Sequence, residues 1–167
     1  METKESDRYL CPLCGRKMLT VAETPYEIPK FGKILLINIT CQHCRFHKSD
    51  VLALEYRGPT KCQFKVKSPK DLYAKVVRSS TGRIYIPEIG VEIFPGPAAQ
   101  GFITNIEGVL ARVKEIVEQL LRDSETEEER QAALKALDWL EKAMSGIIQF
   151  TLILEDPYGV SAIIPEE

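Results

Sequence analysis

The stretch Lys33–Phe46, KILLINITCQHCRF, decides the fold. Its first half is rich in Ile, Leu and Thr and favours an extended chain. It runs straight into a C-x-x-C pair, Cys41 and Cys44. A strand that delivers two thiols two residues apart is half of a zinc ribbon, because the turn folds back as a knuckle and aims both sulfurs at one ion. The other half lies upstream in CPLCG, where Cys11 and Cys14 repeat the spacing and Gly15 supplies the positive φ such turns often need. Four thiolates close the tetrahedral shell that Zn²⁺ takes in structural sites. Residues 15–40 separate the pairs, longer than the commonest ribbon spacing but enough for a loop and a strand. The pattern points to one structural zinc held by Cys11, Cys14, Cys41 and Cys44. A redox dithiol or a pair of disulfides is the alternative for the same residues.

Composition narrows these choices. The 167 residues suit one ordinary domain, or a small metal module joined to a compact one. An apolar share of 44% is enough for a packed core. No stretch approaches the roughly 18 uninterrupted apolar residues of a membrane span. The start, METKESDRYL, is too charged for a secretory signal. The expectation is a cytoplasmic protein with no membrane partner, where thiols stay reduced and favour metal over disulfides. Five cysteines also leave one unpaired in any all-disulfide scheme.

The net charge of −2 is unevenly spread. Arg57 to Arg83 carries eight bases against one acid, Asp71; Glu107 to Lys142 carries ten acids against six bases. Such asymmetry fits a charged partner surface, and equally two solvated faces.

Working outward, residues 1–10 read as a frayed lead-in and AETPYEIPKFG, residues 22–32, as an acidic, proline-bearing loop. SDVLALEYRG leaves the second knuckle as a strand. KCQFKVKS, residues 61–68, alternates: Cys62, Phe64 and Val66 face one way, the lysines the other. Cys62 is thus a buried core thiol. LYAKVVRSS, RIYIPEI and VEIFPG supply further short strands, punctuated by Gly and Pro. TNIE, residues 104–107, fits a capping box, so a helix is expected from Thr104, with Ile103, Ile106, Leu110, Val113, Val117 and Leu120 as its apolar stripe, widened by Val109, Ile116 and Leu121. A second helix begins at Ser124 or Thr126, has Leu134, Leu137, Leu140 and Met144 as its seam, and stops near Gly146. The two should form an antiparallel hairpin. IIQFTLILED, residues 147–156, returns to strand, DPYG turns, and VSAII pairs back. The fold class is α+β, mainly β: a zinc-ribbon domain at 1–58, then a small β domain at 59–167 with a helical hairpin inserted at about 103–145.

The ordered set CPLC, CQHC, DLYAKVVRSSTGRIYIPEIGVEIFPG, GFITNIEGVL and FTLILEDPYGVS resembles the ZPR-type zinc-finger family and covers nearly the whole chain from Cys11. The resemblance implies a zinc finger followed by a double-stranded β-helix carrying the hairpin. It also implies the single-module form associated with archaea, since eukaryotic members carry two modules. Finally, it implies a binding protein for a translation elongation factor 1-alpha type GTPase, as a folding chaperone or assembly factor.

Arg78, Glu88, Gly101, Thr104 and Glu107 lie in the matching stretches and, with His47 beside the second knuckle, are the candidate partner contacts. Their local readings are plainer: Arg78 with Glu88 as a surface ion pair, Thr104 with Glu107 as a helix cap. The segment Glu23–Lys30 is a further exposed candidate, and His43 is a ligand type that a complete four-sulfur shell does not need. A nucleic-acid-binding ribbon using residues 57–83 is the alternative function. Catalysis is not expected, because four thiolates leave zinc no open position and no phosphate loop or dinucleotide fingerprint is present. The same absence argues against a small-molecule substrate.

Overall fold

The run Gly32–Cys41 folds as a strand, β2, at the centre of a three-stranded antiparallel sheet with β1 at Leu19–Ile28 and β3 at His47–Ala53. The computed structural model describes residues 8–166, so most of the expected lead-in lies outside the described residues. Within it, Tyr9 bridges to Leu19. Strand β1 corrects the expected loop at 22–32. It pairs residue for residue with β2, from Leu19 opposite Cys41 to Ile28 opposite Gly32. Its middle is exposed on both faces, which removes the period-2 signal. Pro25 is tolerated because an edge strand needs no donor on its outer side.

Two further sheets face each other across the main core. One has the order β10-β5-β8, from Ala162–Ile164, Lys75–Arg78 and Phe102–Asn105. The other has the order β4-β9-β6-β7, from Thr60–Val66, Phe150–Asp156, Arg83–Ile86 and Val91–Ile93. Alternation places Val66, Val76, Ile84, Ile86, Leu152 and Leu154 inside. Cys62 and Phe64 are half-buried against the same core. VSAII does not pair back on β9; Ala162–Ile164 crosses to β5 in the other sheet. The turn bends the chain out of plane, with Gly159 at φ +69 and Ser161 held on Asp156.

Helix α1 spans Ile106–Asp123 and α2 spans Glu127–Met144. The expected capping box at Thr104 is displaced by one residue: Thr104 ends up inside β8, and Asn105 is the N-cap, accepting from the Gly108 amide at 2.8 Å. Pairing with β5 holds the chain extended through Asn105, so the helix cannot begin earlier and Ile103 belongs to the strand. The core stripe is Ile106, Val109, Leu110, Val113 and Val117, while Ile116, Leu120 and Leu134 point outward. Helix α2 starts at Thr126 with a true capping box to Glu129, and Trp139 meets Phe150 edge-to-face at 5.4 Å.

The three-stranded sheet does not stand alone. Ile28, Ile34 and Val51 from it form one buried cluster with Val77 and Val160. The zinc-bearing module and the two-sheet unit therefore share core.

Candidate metal centre and the seam beside it

The two knuckles are built alike. The Cys11 amide donates to Arg16 O at 2.9 Å and the Gly15 amide to Cys11 O at 2.9 Å. The Cys41 amide donates to Phe46 O at 2.8 Å and the Arg45 amide to Cys41 O at 3.0 Å. Gly15 and Arg45 occupy the same place and both have positive φ, 69° and 62°. Each turn thereby aims its two thiols at the other pair.

The sulfurs meet. All four lie within 4.8 Å of one another, with Cys11 Sγ 3.6 Å from Cys44 Sγ and Cys14 Sγ 3.8 Å from Cys41 Sγ. A tetrahedral zinc with bonds of about 2.3 Å sets its sulfurs about 3.8 Å apart, so the donor set fits one such ion. None of the cysteines is in a disulfide. Amide donation, first from Cys44 and then from His43, lowers the Cys41 pKa to about 7 against some desolvation. At Cys44 the Phe46 amide pulls the same way, but desolvation and the three other thiols outweigh it and raise the group to about 12. Neighbouring thiols resist full ionisation, and a dication among them removes that resistance. Leu19, Met18, Ile39 and Phe46 pack around the site. His43 is exposed and outside the cluster.

From the knuckle, β3 runs along the two-sheet unit. Its outer edge is covered by the segment before β8. The Gly101 amide donates to Ser49 O at 2.8 Å, the Ser49 amide to Gln100 Oε1 at 2.6 Å, and Lys48 Nζ to Pro97 O at 2.7 Å. Gly101 is buried, and a Cβ there would stand 2.7 Å from Asp50 Cα, so only glycine allows this approach. From the opposite side Arg78 grips the same segment. The residue is 2% exposed, and its guanidinium donates to Gly82 O at 3.0 Å, Gln100 O at 2.7 Å and Phe94 O at 2.9 Å. The expected surface ion pair of Arg78 with Glu88 is thus corrected: Arg78 is an internal clamp, and Glu88 sits exposed in the turn between β6 and β7. Glu107 is exposed in the first turn of α1, and Thr104 is half-buried. His47 is exposed, with Nδ1 3.4 Å from Thr40 Oγ1 and Nε2 3.1 Å from Ser49 Oγ. The Glu23–Lys30 candidates lie mostly in the exposed part of β1, although Ile28 is buried.

Two carboxylates of the seam reach distant partners that no sequence signal marks, although Asp156 also opens the DPYG turn. Asp50 bonds Ser80, and Asp156 gathers Ser79, Thr81, Ser161 and the Tyr158 amide. Their partners stand up to 77 residues away, beyond any local pattern. Glu155, next in line, instead faces out and pairs with Lys61 and Arg83.

Fold and site together define a zinc-finger protein whose four-cysteine module is seated on a β-sandwich carrying a helical hairpin. Residues 7–54 match the model of the ZPR1 zinc-finger domain and residues 70–167 that of the ZPR1 jelly-roll domain. A ZPR1-like protein of Methanocaldococcus jannaschii is 46% identical over 93% of this chain and 79% of its own length. A ZPR1-like protein of Pyrococcus horikoshii is 40% identical over 94% of this chain and 72% of its own. The zinc finger chaperone zpr1 of Schizosaccharomyces pombe is 32% identical over 90% of this chain but only 34% of its own length. The chain belongs to the ZPR1 zinc-finger family. Its cofactor is one structural zinc. Among the described residues, no helix is long and apolar enough to cross a membrane.

Proposed function

We propose that the protein binds a translation elongation factor 1-alpha type GTPase in the cytoplasm and acts on it as a folding chaperone or assembly factor, without catalysing a reaction. Cys11, Cys14, Cys41 and Cys44 hold its zinc. The observation that carries this reading is a closed four-sulfur site in a chain whose S. pombe relative is named a zinc finger chaperone. Such a site leaves no open position for substrate or water, so zinc serves to fix the shape of a binding surface.

The nucleic-acid alternative finds no such support. Of the eight cations from Arg57 to Arg83, Lys61 and Arg83 pair with Glu155, Arg83 also with Glu92, Arg78 is buried, and Arg57 lies over the Phe31 ring. A phosphate-binding face needs its cations free and together.

The test is a pull-down from native lysate with zinc retained and GDP, GTP or neither added. Enrichment of an elongation factor is expected. Failure to enrich one in every nucleotide state removes the reading.

A further inference from the structure

Strand β1 lies at the edge of its sheet and is ten residues long. One bridge fixes the direction in which its backbone groups point. The Tyr9 amide donates to Leu19 O at 2.9 Å and the Leu19 amide to Tyr9 O at 3.1 Å, so both groups of Leu19 face away from β2. Pairing with β2 runs residue for residue without a bulge, so the direction alternates along the strand. Val21, Glu23, Pro25 and Glu27 therefore aim their backbone groups outward, while Thr20, Ala22, Thr24 and Tyr26 aim theirs at β2. Pro25 falls at an outward position, where its missing N–H costs no ladder bond. The amides of Val21, Glu23 and Glu27, and the carbonyls of all four outward residues, have no partner strand among the described residues. The opposite edge, β3, is covered by the segment before β8. Leu19 is buried among the zinc cysteines, so the metal site anchors one end of the open edge.

A row of outward donors and acceptors at every second residue is satisfied by another extended chain. The side chains say which kind. Val21, Glu23 and Pro25 stand opposite the half-buried Ile39, Ile37 and Leu35, and Leu52 follows opposite Leu35 at 44% exposure. All of these lie on one face of the sheet. An added strand extends that face, and its residues opposite Val21 and Pro25 join an apolar surface. Its residues opposite Glu23 and Glu27 meet exposed carboxylates that have no ion-pair partner among the described residues. Opposite charges across such a pair stabilise it and like charges destabilise it. A second copy, pairing its own β1 antiparallel about a two-fold axis, sets glutamates of the two copies opposite or diagonal to one another, so the edge disfavours self-pairing. We propose that the outer edge of β1 receives an extended segment of the polypeptide partner as an added strand, with Lys or Arg opposite Glu23 and Glu27 and β-branched residues opposite Val21 and Pro25. The inference rests on the protein-binding reading above, though not on which protein is bound.

The experiment is an NMR titration of the full, zinc-loaded chain with the blocked peptide acetyl-Lys-Thr-Val-Thr-Lys-Thr-Val-amide. Two counterparts run beside it. One is N-methylated at its third and fifth residues, which keeps the side chains and removes two backbone donors; the other has Glu in place of both Lys. In the free chain the amides of Val21, Glu23 and Glu27 should exchange quickly with solvent, and those of Ala22, Thr24 and Tyr26 slowly. The lysine peptide should shift and protect the first set at millimolar concentration, and neither counterpart should. Val21→Pro removes one outward donor from an exposed edge position and should weaken the response about two- to tenfold. Glu23→Lys, also exposed, should weaken it and let the glutamate peptide respond instead. Equal response to the N-methylated peptide, response confined to other regions, or none at millimolar concentration overturns the proposal. So does slow exchange of the outward amides without peptide: at every protein concentration the chain covers its own edge, and only at high concentration a second copy does. The pull-down separates the two ideas. If Val21→Pro and Glu23→Lys enrich an elongation factor as well as the parent does, the edge is refuted and the partner reading stands. If the peptide adds to the edge but no elongation factor is ever enriched, the edge stands and the partner reading falls.

Discussion

Asp50, on the last strand of the zinc module, accepts the Ser80 hydroxyl at 2.5 Å and the Ser80 amide at 2.8 Å from the jelly roll. This pair crosses the seam where Gly101 brings a second backbone against Asp50. Hydrogen bonds to a carboxylate contribute roughly 1.5–3 kcal/mol each. Asp50→Ala should therefore lower the unfolding free energy by about 3 kcal/mol, and Ser80→Ala by about half that. The two losses should not add, because both remove the bond from the Ser80 hydroxyl, while the Ser80 amide bond is lost only with Asp50. Gly101→Ala should cost at least as much, since its Cβ meets backbone and not a movable side chain. Urea midpoints of the three variants and of the Asp50–Ser80 double variant provide the check; additive losses would mean the pair is not coupled.

Zinc removal should act unevenly. Among the described residues, three, Cys11, Leu19 and Cys41, are buried around the sulfurs, against eighteen in the main core. Structural zinc is worth roughly 10–16 kcal/mol apparent in finger peptides, more than so small a core supplies. Chelation, or Cys11→Ser, should abolish amide protection across residues 9–53 while strands β6 and β9 keep theirs. Protection should also weaken around Val77 and Val160, which lose their packing against Val51. Hydrogen exchange read by mass spectrometry distinguishes this from global unfolding. A Cys11→Ser variant with full zinc content and undiminished protease resistance would contradict the assigned ligands.

Asp156 links the fold to pH. Desolvation raises its pKa, but bonds from Ser161 Oγ at 2.6 Å, the Tyr158 amide at 3.0 Å, Thr81 Oγ1 at 2.8 Å and Ser79 Oγ at 2.8 Å outweigh it and hold the carboxyl below its ordinary value. Asp71 is likewise depressed, chiefly by the Lys67 amide. A depressed folded pKa means that the stabilisation is fully present above the unfolded value, about 3.9, and is lost as pH falls through the lower folded value. Asp156→Asn should thus lower stability at neutral pH and flatten its decline below about pH 4. Unfolding curves of parent and variant at matched zinc occupancy measure the difference. Parallel acid limbs would remove Asp156 as a source of the dependence.

Much of this architecture was legible because local chemistry and global fold agree. The paired cysteines, the β-rich Lys33–Cys41, the alternation around Cys62 and the Thr126 cap are short-range signals that the packing keeps. What failed did so where tertiary pairing overrode local preference. Leu19–Ile28 is held extended by β2 despite Pro25 and its acids. Thr104 loses the cap to Asn105 because β5 keeps the chain straight for one residue more. Ile116, Leu120 and Leu134 fit the helical period yet face solvent, since the hairpin offers more apolar surface than the sandwich covers. The Asp50 and Asp156 networks join segments that no spacing rule connects.

Arg78 shows what such long-range construction demands of one residue type. Its three donors diverge to Gly82 O, Phe94 O and Gln100 O, carbonyls on separate turns of chain. Burial lowers its pKa, Asp50 and Asp156 oppose that and the charge of Arg112 adds to it. The net shift is downward, yet a guanidinium starts so high that it stays charged inside the protein. The ring of Phe102 lies beneath it, 5.5 Å from centroid to Cζ. A lysine keeps the charge but has one compact ammonium, which cannot span three carbonyls in a plane and loses its proton more readily when buried. Arg78→Lys should therefore cost about 2–4 kcal/mol, because two carbonyls lose their charged donor inside the fold. The damage should be local first: faster exchange at Gly101, whose amide depends on a segment that Arg78 holds from behind, with little change at the cysteine knuckles. Exchange that quickens equally at both places would show that Arg78 supports the whole fold and not the segment before β8.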